Sequence, residues 1–182
     1  MKKYIFILFA VAITAVAQAQ QYSRANLQAT GLTCALCSNA INKSLLRLPF
    51  VESVDSDIKS SSFRIDFKEQ ANVLIDDIRK AVEEAGFSVG KLEMTGTFQA
   101  FAVEKDKHIV IGNDVYHFLN APGMELEGEH TITLADKGFV SARQFKKLSH
   151  ASSMKCVQSG KAESCCSMSG IKPGTRIYHV TL

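Results

Sequence analysis

The chain has 182 residues, with 21 Lys and Arg against 18 Asp and Glu and a formal charge of +3. Two of those lysines, Lys2 and Lys3, open the chain, so the remainder is close to neutral. With no basic run and no tryptophan, the composition argues against nucleic acid or an anionic membrane surface as a partner.

Tyr4 to Val16 is an almost unbroken apolar run, and Ala17-Gln18-Ala19 supplies small residues where a signal peptidase reads. The run is too short to span a bilayer and has the plan of a cleavable secretory signal. Residues 1–19 are therefore expected to be a signal peptide. The mature chain is expected to be periplasmic or secreted, without stable membrane insertion.

Arg24 to Thr30 alternates as a strand does, and Gly31 breaks it. Leu36, Ala40, Ile41, Leu45 and Leu48 fall on one face of a helix starting at Ala35, with Thr33 as the expected N-cap and Pro49 as its stop. Val51 to Ile58 reads as a strand. Phe63, Ile65 and Phe67 alternate with polar residues in another. Leu74, Ile78, Ala81, Val82 and Ala85 space a second helix, closed by Gly86. Phe87 to Met94 is a last strand. This strand-helix-strand-strand-helix-strand order predicts an α+β, ferredoxin-like βαββαβ unit over 22–95.

Cys34 and Cys37 stand three residues apart where the first helix begins. Helix N-termini favour the thiolate, which is the metal-binding form, and Cys37 in the first turn is expected to benefit most. Thiolates prefer Cu(I), Hg(II), Zn(II) or Cd(II) to hard ions. No histidine or carboxylate lies between Ala29 and Asn42 to complete a tetrahedral zinc site. In an exported chain a redox pair or a plain disulfide remains an alternative for the same two residues.

The run Gly31-Leu32-Thr33-Cys34-Ala35-Leu36-Cys37 resembles the Gly-Met-Thr-Cys-x-x-Cys loop of the heavy-metal-associated domain family. Ile41, Leu45, Leu48-Pro49 and Val51 fall where that family has its helix core, its Leu-Pro and its following Val. Glu83-Glu84-Ala85-Gly86-Phe87 resembles its closing Glu-Ala-Gly-aromatic. The resemblance covers residues 24–94. Two departures stand out: Leu32 replaces the family Met, and Phe50 replaces the Gly after Leu-Pro, which would set an aromatic on the surface or against a second domain. The resemblance implies linear two-thiolate binding of Cu(I), or of Hg(II), through Cys34 and Cys37. It implies a role in metal trafficking or detoxification, with a membrane metal transporter or another metal-binding domain as partner. A periplasmic mercury-binding protein and a thiol–disulfide redox protein are the rival readings. No catalytic constellation stands out, so a carrier rather than an enzyme is expected.

Beyond Gly96 the helical periodicity fades. Thr97–Val103, Lys107–Ile111, Val115–Leu119, His130–Leu134, Phe139–Ala142 and Ile177–Leu182 read as short strands, with a hairpin at Gly112-Asn113-Asp114 and a helical turn at Arg143–Leu148. They predict a separate small all-β domain over 96–182, in the form of an OB-like barrel. A loop over 149–174 holds Met154, Cys156, Cys165, Cys166 and Met168. A disulfide from Cys156 to Cys165 or Cys166, a second soft-metal site using His150 or His179, or an incidental set of free thiols would each explain that sulfur density. His108, His117 and His130 are assigned no metal role.

Overall fold

The computed structural model describes residues 21–32, 34–164, 166 and 170–182. The expected signal peptide, Thr33, Cys165 and Met168 lie outside the described residues.

The first half follows the expected order. It runs β1 (Gln21–Thr30), α1 (Ala35–Leu45), β2 (Val51–Asp57), β3 (Ser62–Phe67), α2 (Ile75–Glu84) and β4 (Ser88–Val103). The strands lie side by side as β2-β3-β1-β4, all antiparallel, which is the ferredoxin-like arrangement. Ile41 and Leu45 of α1 join Ile75, Ile78 and Val82 of α2 in one core with Leu27, Ile65 and Leu92 of the sheet. Each such fully buried side chain contributes about 1.5–3 kcal/mol. Gly86, at φ +89, ends α2 as a Schellman motif, its N–H donating to Glu83 O and that of Phe87 to Val82 O.

Several local expectations change. The buried face of α1 is Ser38, Ile41 and Leu45, while Leu36 and Ala40 face solvent. Phe50 is buried within this same core, its ring tilted against Phe67 with centroids 6.0 Å apart, rather than on the surface. Asn42 donates from Nδ2 to Val54 O at 3.0 Å and ties α1 to the edge strand. Asn42→Ala is expected to cost about 1 kcal/mol, the net worth of a half-buried hydrogen bond less a small gain in helix propensity. The urea midpoint reads this cost.

The second half adds β5 (His108–Ile111), β6 (Asp114–Phe118), β7 (Met124–Leu134), α3 (Ala142–Ser149), α4 (Cys156–Ser159) and β8 (Ile177–Thr181). Its strands extend the first sheet into one of eight, in the order β2-β3-β1-β4-β7-β8-β6-β5. The separate OB-like barrel is thus corrected: among the described residues the strands form an open sheet with two edges, and α3 and α4 make this half mixed rather than all-β. The physical reason is β4. Its 16 residues pair with β1 along the first part and with β7 from Glu93 to Val103, so the boundary expected at 95/96 falls within a strand. Phe139–Ala142 is a turn leading into α3, not a strand; Ser141 and Gln144 form a capping box there.

The sheet curls. Tyr22 on β1 donates its hydroxyl to that of Tyr116 on β6 at 2.8 Å, although three strands separate them in the sheet. Phe101 on β4 meets Phe118 on β6 at 6.3 Å between centroids. Side chains alternate along a strand, so Tyr116, Phe118, Tyr178 and Val180 join the main core, while Val115 and Ile177 lie on the opposite face in a second core with Cys156, Val157, Ala162 and Cys166. Arg176 joins the halves. Its guanidinium donates to Asp76 on α2 at 2.9 and 3.3 Å and to Asp136 Oδ2 at 3.1 Å, and stacks 4.3 Å over the Tyr178 ring.

Candidate metal centre

The β1–α1 junction carries the first thiol pair. Gly31 takes φ +83, a conformation open to glycine at little cost, and so turns the chain out of β1. Leu32 packs against the core from below. Cys34 is extended (φ −151, ψ 159) and is itself the N-cap of α1, the place expected for Thr33. Its sulfur accepts the Cys37 N–H at 3.4 Å, and the two Sγ atoms lie 2.6 Å apart. The thiol of Cys37, followed by the Cys37 and Leu36 backbone N–H groups, holds the Cys34 thiol below its ordinary pKa. The cap, rather than only the first turn, is therefore a place where the thiolate is favoured. Cys34 is exposed and Cys37 half-buried, and Leu36 between them is 81% exposed. The two sulfurs are thus open to a partner, with an apolar contact beside them.

A second group of ligand-type side chains lies on the opposite face of the sheet, across β5, β6 and β8. His108 pairs in register with His117, and His117 with His179, so three imidazoles form a row across three neighbouring strands. Ring centroids are 4.8 Å and 5.1 Å apart along the row. Cys156, at the start of α4, and Cys166 sit above it. His108 Nε2 is 3.6 Å from each of those sulfurs, and His117 Nδ1 is 3.9 Å from Cys156 Sγ. His117, His179, Cys156 and Cys166 are fully buried. Burial, then repulsion from His179 and His108, lowers the His117 pKa to about 4, and burial and His179 lower that of His108, so both rings are neutral at physiological pH.

Of the residues singled out in the sequence, Cys34 and Cys37 come together at one loop, and Cys156 and Cys166 at the other group. Both of the latter are carried as thiols. His179 joins them, as one alternative had it, whereas His150 is the exposed C-cap of α3. His108 and His117, set aside as isolated strand histidines, are the residues that the sequence reading missed. The hairpin turn at Gly112-Asn113 already sets His108 opposite His117, whereas nothing local announces that His179 joins them.

A family model, the heavy-metal-associated domain, matches residues 27–88. The copper chaperone CopZ of Staphylococcus haemolyticus is 30% identical over 59 residues, covering 32% of this chain and 85% of the chaperone. A copper-transporting ATPase of Helicobacter pylori is 38% identical over 61 residues, 34% of this chain, and the chain spans only 8% of that ATPase's length. Among solved structures, a copper-binding domain of the P-type ATPase HMA7 is 26% identical, with 40% of this chain and 92% of that one covered and a TM-score of 0.34. The yeast copper transporter domain CCC2A is 27% identical, with 37% and 90% covered and a TM-score of 0.33.

Proposed function

The chain belongs to the heavy-metal-associated domain family, and from that premise we propose that it is an exported metallochaperone that takes up Cu(I) through Cys34 and Cys37 for trafficking or detoxification. The observation that carries this reading is the exposed thiol pair at the cap of α1, with the Cys34 thiol already biased toward the anion. Similarity to a copper chaperone and to copper-transporting ATPases supports the copper reading.

Cys34 and Cys37 act as ligands and α1 as their electrostatic support. Its first-turn N–H groups, of which that of Cys37 already donates to the Cys34 sulfur, and its positive dipole end stabilise the charge of a two-thiolate complex. Neither sulfur is deeply buried, so an acceptor thiolate can join the ion before one donor leaves. Transfer then proceeds without releasing Cu(I) to solvent, and exposed Leu36 gives the acceptor domain an apolar contact. The chain's own chemistry here is carriage rather than catalysis.

The test is a titration of the reduced mature protein with Cu(I) against a competing chromophoric chelator. The expected result is that Cys34→Ser/Cys37→Ser loses one equivalent of tightly held Cu(I). An unchanged stoichiometry and affinity would remove the assignment to this pair. Rapid thiol–disulfide exchange with no retained metal would favour the redox reading.

A further inference from the structure

We propose that Cys156, Cys166, His108, His117 and His179 line a second metal site, buried beneath α4, for a thiophilic d10 ion, Zn(II) or Cu(I), that takes up to four of these five donors. Two triads of donor atoms, His108–Cys156–Cys166 and His117–Cys156–His179, each lie within 4.8 Å of one another and share the Cys156 sulfur.

The hydrogen bonds on the far side of the rings carry the proposal. His179 Nδ1 lies 2.6 Å from Asp136 Oδ1, and His117 Nε2 lies 3.2 Å from Asp106 Oδ1. A carboxylate accepts, so each of these nitrogens carries the proton, and the tautomers follow from the network. The opposite nitrogens, His179 Nε2 and His117 Nδ1, are then bare lone pairs. His179 Nε2 is buried and has no hydrogen-bond partner among the described residues, a cost that a fold without an ion leaves uncompensated. One thiol proton on Cys156 cannot serve both lone pairs. A cation serves both, and carboxylate–histidine–metal relays are the usual way in which ligand histidines are oriented.

The spacing agrees. Metal–sulfur and metal–nitrogen bonds of about 2.0–2.3 Å in a tetrahedron set donor atoms roughly 3.3–3.8 Å apart. The His108 Nε2 contacts to Cys156 and Cys166, at 3.6 Å, fall in that range, and the His117 Nδ1 contact to Cys156, at 3.9 Å, lies just beyond it. Mixed sulfur and imidazole donors select zinc or cuprous copper over hard cations. Half-buried His108 is the side from which an ion would enter. Loading converts each ligating thiol to a thiolate and releases its proton to solvent, about two per ion when both cysteines bind.

The test uses the mature chain with Cys34→Ser/Cys37→Ser, so that the loop pair is silent and the two sites fail or succeed separately. Zn(II) and Cu(I) are titrated in separate arms, and Co(II) reports thiolate ligation through its near-ultraviolet charge-transfer absorption. One equivalent of Zn(II) or Cu(I) is expected, together with that absorption. X-ray absorption of the loaded protein should show sulfur and nitrogen donors together. Cys166→Ser should weaken binding more than tenfold. Asp106→Asn, at a turn position with φ +60 that asparagine also adopts readily, should weaken it by about 10–100-fold. The proposal is overturned if the silent-loop protein retains no ion, if its ion shows only oxygen and nitrogen donors, or if Asp106→Asn and Cys166→Ser both leave the affinity unchanged. Because the site is read directly in the parent protein, a ligand variant that fails to fold does not decide the matter.

Discussion

Arg176→Leu is expected to destabilise the protein by about 3 kcal/mol, seen as a lower urea midpoint with an unchanged slope. The guanidinium is the common partner of Asp76 and Asp136, and it also donates to the Gly160 and Ile177 carbonyls. Leucine fills part of the space but leaves nearly buried Asp136 short of one cation and strips Asp76 of its main one. Burial alone would raise the Asp76 carboxyl; the Arg176 hydrogen bond and charge, with help from Arg79, outweigh it and hold the pKa below its ordinary value. A carboxylate with a lowered folded pKa stabilises the protein above about pH 4, the unfolded value, and this stabilisation is lost as pH falls through the folded one. The variant should therefore also lose part of its acid sensitivity in that window. A cost below about 1 kcal/mol would mean that solvent satisfies the two acids as well as Arg176 does.

Phe118→Ala should cost more still, about 3–5 kcal/mol, because the ring is fully buried in a core that a small residue cannot refill. The form of the transition matters as much as its position. Phe118 is on β6, yet its core is continuous through Phe101 and Met94 with the helices of the first half. One cooperative transition, shifted as a whole, is expected by circular dichroism and by labelling of the buried Cys156 thiol in the Cys34→Ser/Cys37→Ser background alike. Two transitions, with Cys156 labelled while the helical signal of the first half persists, would mean that the halves unfold independently.

The first half was legible because its signals are local. The 3.6-residue spacing of Ile41 and Leu45, the strict alternation of Phe63, Ile65 and Phe67, and the Gly86 stop each lie within a few residues of the structure that they specify. The second half was legible only in pieces. Its strands were found, but β7 begins six residues earlier than its alternation suggested, because Glu125, Glu127 and Glu129 mask the inward Leu126. The continuity of β4 was hidden by Gly96, which reads as a break and is in fact buried within a strand, opposite His130. His108 and His117 face each other across the β5–β6 hairpin, but the row also needs His179 from distant β8, joined in parallel register to β6, and no local pattern carries that step. The thiol pair, by contrast, was visible as a motif because both of its ligands belong to a single turn.

The open order of the sheet leaves two strands with unpaired backbone groups, β2 at one end and β5 at the other. Such a margin invites a strand from a neighbouring molecule, and the hazard of fibrous self-association grows with its length and apolar character. Here each margin is blunted differently. β2 carries Glu52, Asp55 and Asp57 facing solvent, and Asp57 is kept ionised by hydrogen bonds from the Ser60 hydroxyl and the Lys59 amide. β5 offers only four residues. Two copies meeting β2 to β2 would set carboxylates against carboxylates, so the chain should stay dispersed at the high local concentrations that a trafficking role would impose.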